Sequence, residues 1–324
     1  SCSLLKPLLD PLDEYVMVTT GPDPPNTEIL NLNCPTFQCN KKDLPELRKT
    51  RNAVGGMIGG TPIICGGDGG DGTDYKPYNK CFKLTDKDWE ELSSALAQHK
   101  RFSGAGSIVI NDQLLVSGGI GSNGLTTQEF VPLDGQIMSS AIESPSKNGH
   151  CIIKVNQTSI LVTGGYTKGN QDHVPDTWVQ NFGTLKVEKG PSMAKGRMYH
   201  ACGKVQIGGE TIMMVVGGRE SYPGSYTKTT EYINLDGDAI WKDGPQLPFP
   251  LYLTTFIPSR NEQTAFLVGG KTGDGVVIDQ TYRLVCDDTP DSCAWEETET
   301  KLKQPRSTGL VFPIPNSLAK DLCD

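Results

Sequence analysis

The sequence predicts an all-β fold built from six repeats of one small antiparallel sheet. Three observations carry that expectation: a recurring apolar run that ends in two glycines, an aromatic strand at a near-constant distance behind each run, and a composition rich in turn formers. Glycine supplies 37 and proline 22 of the 324 residues, so about one residue in six punctuates the backbone. That density suits many short strands rather than long helices. With 36% hydrophobic and 21% charged residues, the chain can bury a core and is not a disordered polymer.

The double-glycine runs are Ile63-Ile64-Cys65-Gly66-Gly67, Leu115-Val116-Ser117-Gly118-Gly119, Leu161-Val162-Thr163-Gly164-Gly165, Val215-Val216-Gly217-Gly218 and Leu267-Val268-Gly269-Gly270. Their second glycines are spaced by 52, 46, 53 and 52 residues. A degenerate sixth copy, Val16-Met17-Val18-Thr19-Thr20-Gly21, lies 46 residues further upstream. An aromatic follows each full copy, at Phe82, Phe130, Trp178, Tyr232 and Tyr282. Glu129-Phe130-Val131-Pro132-Leu133-Asp134-Gly135 and Glu231-Tyr232-Ile233-Asn234-Leu235-Asp236-Gly237 are near copies. A tryptophan then comes at Trp89, Trp241 and Trp295, with Met138 and Leu185 in its place in two units. Most units close on a basic loop residue, as in Lys100-Arg101-Phe102-Ser103-Gly104.

This pattern resembles the kelch repeat over nearly the whole chain. The resemblance implies a β-propeller, in which four-stranded blades that cannot bury both faces alone stack radially around a channel. Six copies of the second strand imply six blades. The first unit begins at its second strand, while Thr308-Gly309-Leu310-Val311-Phe312-Pro313 is a first strand with no unit behind it. Placing that C-terminal strand in the N-terminal blade closes the ring and removes exposed edges. The expectation is therefore one six-bladed kelch propeller domain over residues 1–324. Residues 86–100 have helical propensity, but the repeat phase makes Trp89 to Leu96 an outer strand.

Ten cysteines, the sequon Asn156-Gln157-Thr158 and a first residue that is Ser1 rather than Met point to a secreted, extracellular glycoprotein carrying its glycan on Asn156. The propeller register suggests five disulfides: Cys2–Cys323 across the ring closure, Cys34–Cys39, Cys65–Cys81 between second and third strands, Cys151–Cys202 between consecutive inner strands, and Cys286–Cys293 across a hairpin.

In related kelch adaptors, one face binds peptides through two loop sets. Here the loops before the first strands carry Arg51, Arg101, Lys147, Arg197 and Arg306, with Pro250-Leu251-Tyr252 as the departure. The loops after the double glycines carry Asp68, Asp71, Asp74, Tyr75, Tyr78, Tyr166, Arg219, Tyr222, Tyr226 and Lys271. Tyrosine and arginine are enriched at interface hot spots, while the same basic residues can serve as scaffolding that ties loops together. All four histidines, His99, His150, His173 and His200, map to this face. Their spacing is not a metal signature, and neither a metal nor another cofactor is implied. The loop from Asp68 to Asp74 has its acids at every third position, unlike an EF-hand, so calcium is not expected there.

No Ser-His-Asp, Cys-His or paired-carboxylate constellation emerges. The expected function is a secreted module that presents its loop-rich face to a protein partner. The alternative is a glycan-binding, mutarotase-like or copper-radical-oxidase-like propeller with its site at the channel mouth, since some kelch propellers isomerise sialic acid and others are copper oxidases. The oxidases need a free cysteine, which full pairing denies. A net charge of −8 with no basic cluster argues against a nucleic-acid partner. No run of about 18 apolar residues is present to span a membrane.

Overall fold

The computed structural model describes residues 14–20, 27–39, 44–45, 50–69, 76–77, 79–86, 88–96, 105–119, 126–146, 148–166, 173–221 and 225–323. Six antiparallel sheets follow one another round the ring and form the blades of a six-bladed β-propeller, and three smaller sheets of two or three short strands lie in the loops between them. Blade 2 runs Val54–Ile58, Thr61–Cys65, Lys80–Leu84, Trp89–Ala95. Blade 3 runs Gly106–Ile110, Gln113–Ser117, Gln128–Val131, Met138–Ser139, and blade 4 runs Cys151–Lys154, Ser159–Thr163, Thr177–Asn181, Lys186–Lys189. Blade 5 runs Ala201–Ile207, Glu210–Val216, Thr230–Asn234, Trp241–Asp243, and blade 6 runs Thr255–Pro258, Ala265–Val268, Gln280–Val285, Ala294–Lys301. Residues 89–95 form the outer strand that the repeat phase demands, against their helical propensity.

Blade 1 is shared between the two ends of the chain. Leu310–Pro313 supplies its first strand and pairs antiparallel with Tyr15–Thr19, with Phe312 opposite Met17. Glu28–Asn31 follows as the third strand. The first strands of neighbouring blades touch one another all the way round, so the ring is closed.

Period-2 alternation on the second strands directs side chains to the two faces of each blade. Met17 joins Ile64 and Trp89 between blades 1 and 2, while Val16 and Val18 join Phe266 and Val268 between blades 1 and 6. Buried apolar residues fall into six such clusters, one at each blade interface. Two of the repeat tryptophans reach back to the preceding blade's closing loop: the indole N–H of Trp241 donates to the carbonyl of Pro191 at 2.9 Å, and that of Trp89 to Pro45 at 3.4 Å.

The double glycines lock this stacking. The N–H of Gly218 donates to the carbonyl of Leu251 at 2.8 Å, in the loop that opens the next blade, and Gly165 and Gly270 do the same to Arg197 and Arg306. A Cβ on Gly217, whose φ is +63°, would lie 2.1 Å from the Leu251 carbonyl oxygen, so no other residue fits.

Three of the expected disulfides form: Cys65–Cys81, Cys151–Cys202 and Cys286–Cys293. The closure bond differs from expectation. Cys323 bonds Cys39, which overturns both the Cys2–Cys323 and the Cys34–Cys39 pairings. The physical reason is a C-terminal helix, Asn316–Cys323, that buries Ala319 and Leu322 against blade 1 and delivers Cys323 to the segment behind the third strand. Cys34 is also disulfide-bonded. Cys2 lies outside the described residues.

Candidate functional site

Five residues sit at equivalent positions two before a first strand: Asn52, Gly149, Tyr199, Leu253 and Thr308. All take positive φ, between +54° and +65°. Four are not glycine, and for a bulky or β-branched side chain this left-handed backbone is strained by about 1–3 kcal/mol. Together with the residues that follow them they ring one end of the channel. Around them opens a cavity of about 200 Å³, bordered also by Ala53, Ala105, His150, His200, Thr254, Thr255 and Gly309.

Its hydrogen-bonding groups are not all used. His150 is 6% exposed, and neither ring nitrogen has a hydrogen-bond partner. His200 is equally buried; its Nε2 shares a 2.8 Å hydrogen bond with the Thr163 hydroxyl, and its Nδ1 has none. The Thr308 hydroxyl is also buried and unpartnered. Four orphaned polar atoms thus border one cavity. Each such atom costs about 1–3 kcal/mol unless water or a ligand meets it. Burial drives both imidazoles to the neutral form: that of His150 is pushed down to about 4, and that of His200 well below the usual histidine range, helped by the neighbouring charges of Arg197 and His150.

The arginines expected to meet a ligand do something else. Arg197 is fully buried and donates to the carbonyls of Gly217 and Thr229, both at 3.0 Å, to Thr229 Oγ1, and to Glu231 at 2.5 Å. Arg306 repeats the arrangement in blade 1, with Thr20 O at 2.8 Å and Glu28 at 3.2 Å. Both tie the loop ahead of a first strand to the third strand of the same blade, which is the scaffolding role open to these basic residues. Arg51 is out of register with them: counted back from the first strand, Thr50 holds the equivalent position. Arg51 instead sits in a two-residue strand paired with Asp68–Gly69.

Tyr166 bridges to Asn148 through the backbone above His150. Arg219 bridges to Met198 beside Tyr199, and its guanidinium lies 5.8 Å from the ring centroid of Tyr226, which stacks on Tyr252 at 4.3 Å. His173 is buried under the same face and does not border the cavity. Arg101, Lys147, Tyr75, Tyr222 and His99, with Asp71 and Asp74 of the acidic loop, lie outside the described residues. Sequence reading missed Asn52, Tyr199, Leu253 and Thr308; the available signal was their fixed offset ahead of each first strand. Asn156 is exposed in the hairpin between the first two strands of blade 4, and its Oδ1 accepts from the Thr158 N–H at 3.0 Å.

Among the described residues no cluster of three or more His, Cys, Asp or Glu side chains could hold a metal ion. No helix among them is long and apolar enough to cross a membrane.

Fold and closure define the class, a six-bladed β-propeller with a polar cavity at one channel mouth. No protein-family model and no curated protein matches the chain. Its fold is similar to the solved structure of YjhT, with a TM-score of 0.65 over 91% of this chain and all of that one, at 14% identity. A likeness at that identity speaks for the fold alone.

Proposed function

We propose that this protein is a secreted kelch-type propeller that binds a small polar ligand at the channel mouth. The observation that carries the reading is the set of four orphaned polar atoms on His150, His200 and Thr308 around one cavity. Buried donors and acceptors without partners are rare, and a cavity bordered by several calls for an occupant that can both donate and accept. The strained backbone ring supports the same place, because such strain concentrates at ligand sites. The double glycines and reach-back tryptophans support the kelch type. The disulfides support an oxidising, extracellular setting.

Ligand contact at a protein-docking rim loses Arg197 and Arg306, so the small-ligand reading takes precedence.

The test follows the ring signals of His150 and His200 by NMR while monosaccharides, polyols and small amides are added. At least one class should shift both rings, and His150→Ala should abolish the response while the protein stays folded. If no probe moves either ring up to about 50 mM, weaker than any useful millimolar affinity, the reading is wrong.

A further inference from the structure

Resting on the channel-mouth reading, we infer that the site selects an uncharged, hydroxyl-bearing ligand, such as a neutral sugar unit, and rejects its carboxylate-bearing counterpart. The described cavity lining is Asn52, Tyr199, two histidines, three threonines and small or aliphatic residues, with no Asp, Glu, Lys or Arg. A carboxylate entering it would lose water and gain no cation from the described lining.

Among the described residues, two of the cations ahead of the first strands are already paired. Arg197 and Arg306 stand ahead of the first strands of blades 5 and 1, each held in a buried ion pair, with Glu231 and Glu28. Each guanidinium is paired with a carboxylate on the third strand of its own blade and does not border the cavity, although the charge of Arg197 is still felt at His200. Arg219 is turned toward Tyr226 and does not border the cavity. The chain's net charge of −8 adds a field that disfavours anions further.

What the mouth does offer is amphoteric. A neutral imidazole has one donor and one acceptor nitrogen, and a threonine hydroxyl donates and accepts. The unpartnered nitrogens of His150 and His200 and the Thr308 hydroxyl therefore match a partner that itself donates and accepts at each oxygen. A sugar hydroxyl does this; a carboxylate only accepts.

The experiment uses the full, oxidised chain and matched pairs that differ by a carboxylate: galactose with galacturonate, glucose with glucuronate, and N-acetylmannosamine with N-acetylneuraminate. Affinities are read from the His150 and His200 ring signals. The neutral member of at least one pair should bind at least about tenfold more tightly than its acid. His150→Gln, which keeps an uncharged donor and acceptor, should retain that ligand within a few-fold, and His150→Ala should lose it, with thermal melts confirming that each variant folds. An acid that binds at these rings as tightly as its neutral partner, or more tightly, overturns the inference and leaves the channel-mouth reading standing. If no member of any pair moves either ring, the inference falls, and the channel-mouth reading then stands or falls on the polyols and small amides.

Discussion

Replacing Arg197 with methionine should destabilise the propeller severely. The guanidinium is wholly buried, and its removal strands the Glu231 carboxylate, 2% exposed, without its charge partner. One oxygen of Glu231 keeps the N–H of Ala194 at 2.6 Å, but the carbonyls of Gly217 and Thr229 each lose a charged donor. Breaking a buried pair from one side costs about 3–5 kcal/mol, most of it the uncompensated charge left behind. For 324 residues, an unfolding entropy of about 2.1 cal/mol/K per residue turns that loss into a drop in Tm of roughly 4–7 °C. The double variant Arg197→Met with Glu231→Gln should recover about half of the loss or more, because it removes the stranded charge. Calorimetric melts of the two single variants and the double complete the cycle. An Arg197→Met protein that melts within about 1 °C of the parent but fails to bind a ligand would refute the scaffolding assignment and restore the arginine to the binding face.

Other outcomes follow from the same geometry. His150 titrates at about 4 in the folded chain against about 6.5 when unfolded, so the unfolded chain takes up protons first as pH falls. Its contribution is complete above about pH 6.5 and is lost on acidification toward pH 4, by roughly 3 kcal/mol; denaturant titrations should show a slope that flattens in His150→Gln, and an unchanged slope contradicts the burial. Gly217→Ala places a Cβ 2.1 Å from the Leu251 carbonyl and should yield little folded protein, whereas Gly209→Ala, with open space around it, should fold; equal yields would sink the close-approach reading. Non-reducing peptide mapping should recover a Cys39–Cys323 peptide, and a paired Cys39→Ser, Cys323→Ser variant should lose on the order of 5 kcal/mol in the chain-entropy model; recovery of Cys34–Cys39 instead would contradict the structure.

The ring was legible because its determinants are local and repeated. A double glycine ends the second strand in five of the six blades, and the tryptophans recur because each fills the same interblade gap. The outer strand over residues 89–95 shows repeat phase prevailing over helix propensity, since an isolated helix would leave blade 2 without its fourth strand. The closure disulfide was not legible, because it depends on a terminal helix outside the repeat. The ion pairs of Arg197 and Arg306 were not legible because residue type was weighed without burial. The corrective signal was in the third strands: Glu28 and Glu231 recur just ahead of apolar residues in strands that must be buried, and a buried acid needs a cation. The cavity's ring of positive φ could not be seen in residue types as different as Asn52, Tyr199, Leu253 and Thr308, because backbone geometry imposes it there, not side-chain preference.

The bond between Cys39 and Cys323 spans 284 residues and turns most of this chain into a covalent circle. A protease that cuts one loop within that circle converts a loop into a line without releasing a fragment, so nicked protein keeps its mass until it is reduced. Unfolding cannot begin by peeling Leu310–Pro313 away from Tyr15–Thr19 and letting the ends drift apart, because the two strands stay tethered to one another. Damage to one loop then becomes something the molecule survives rather than a point of no return.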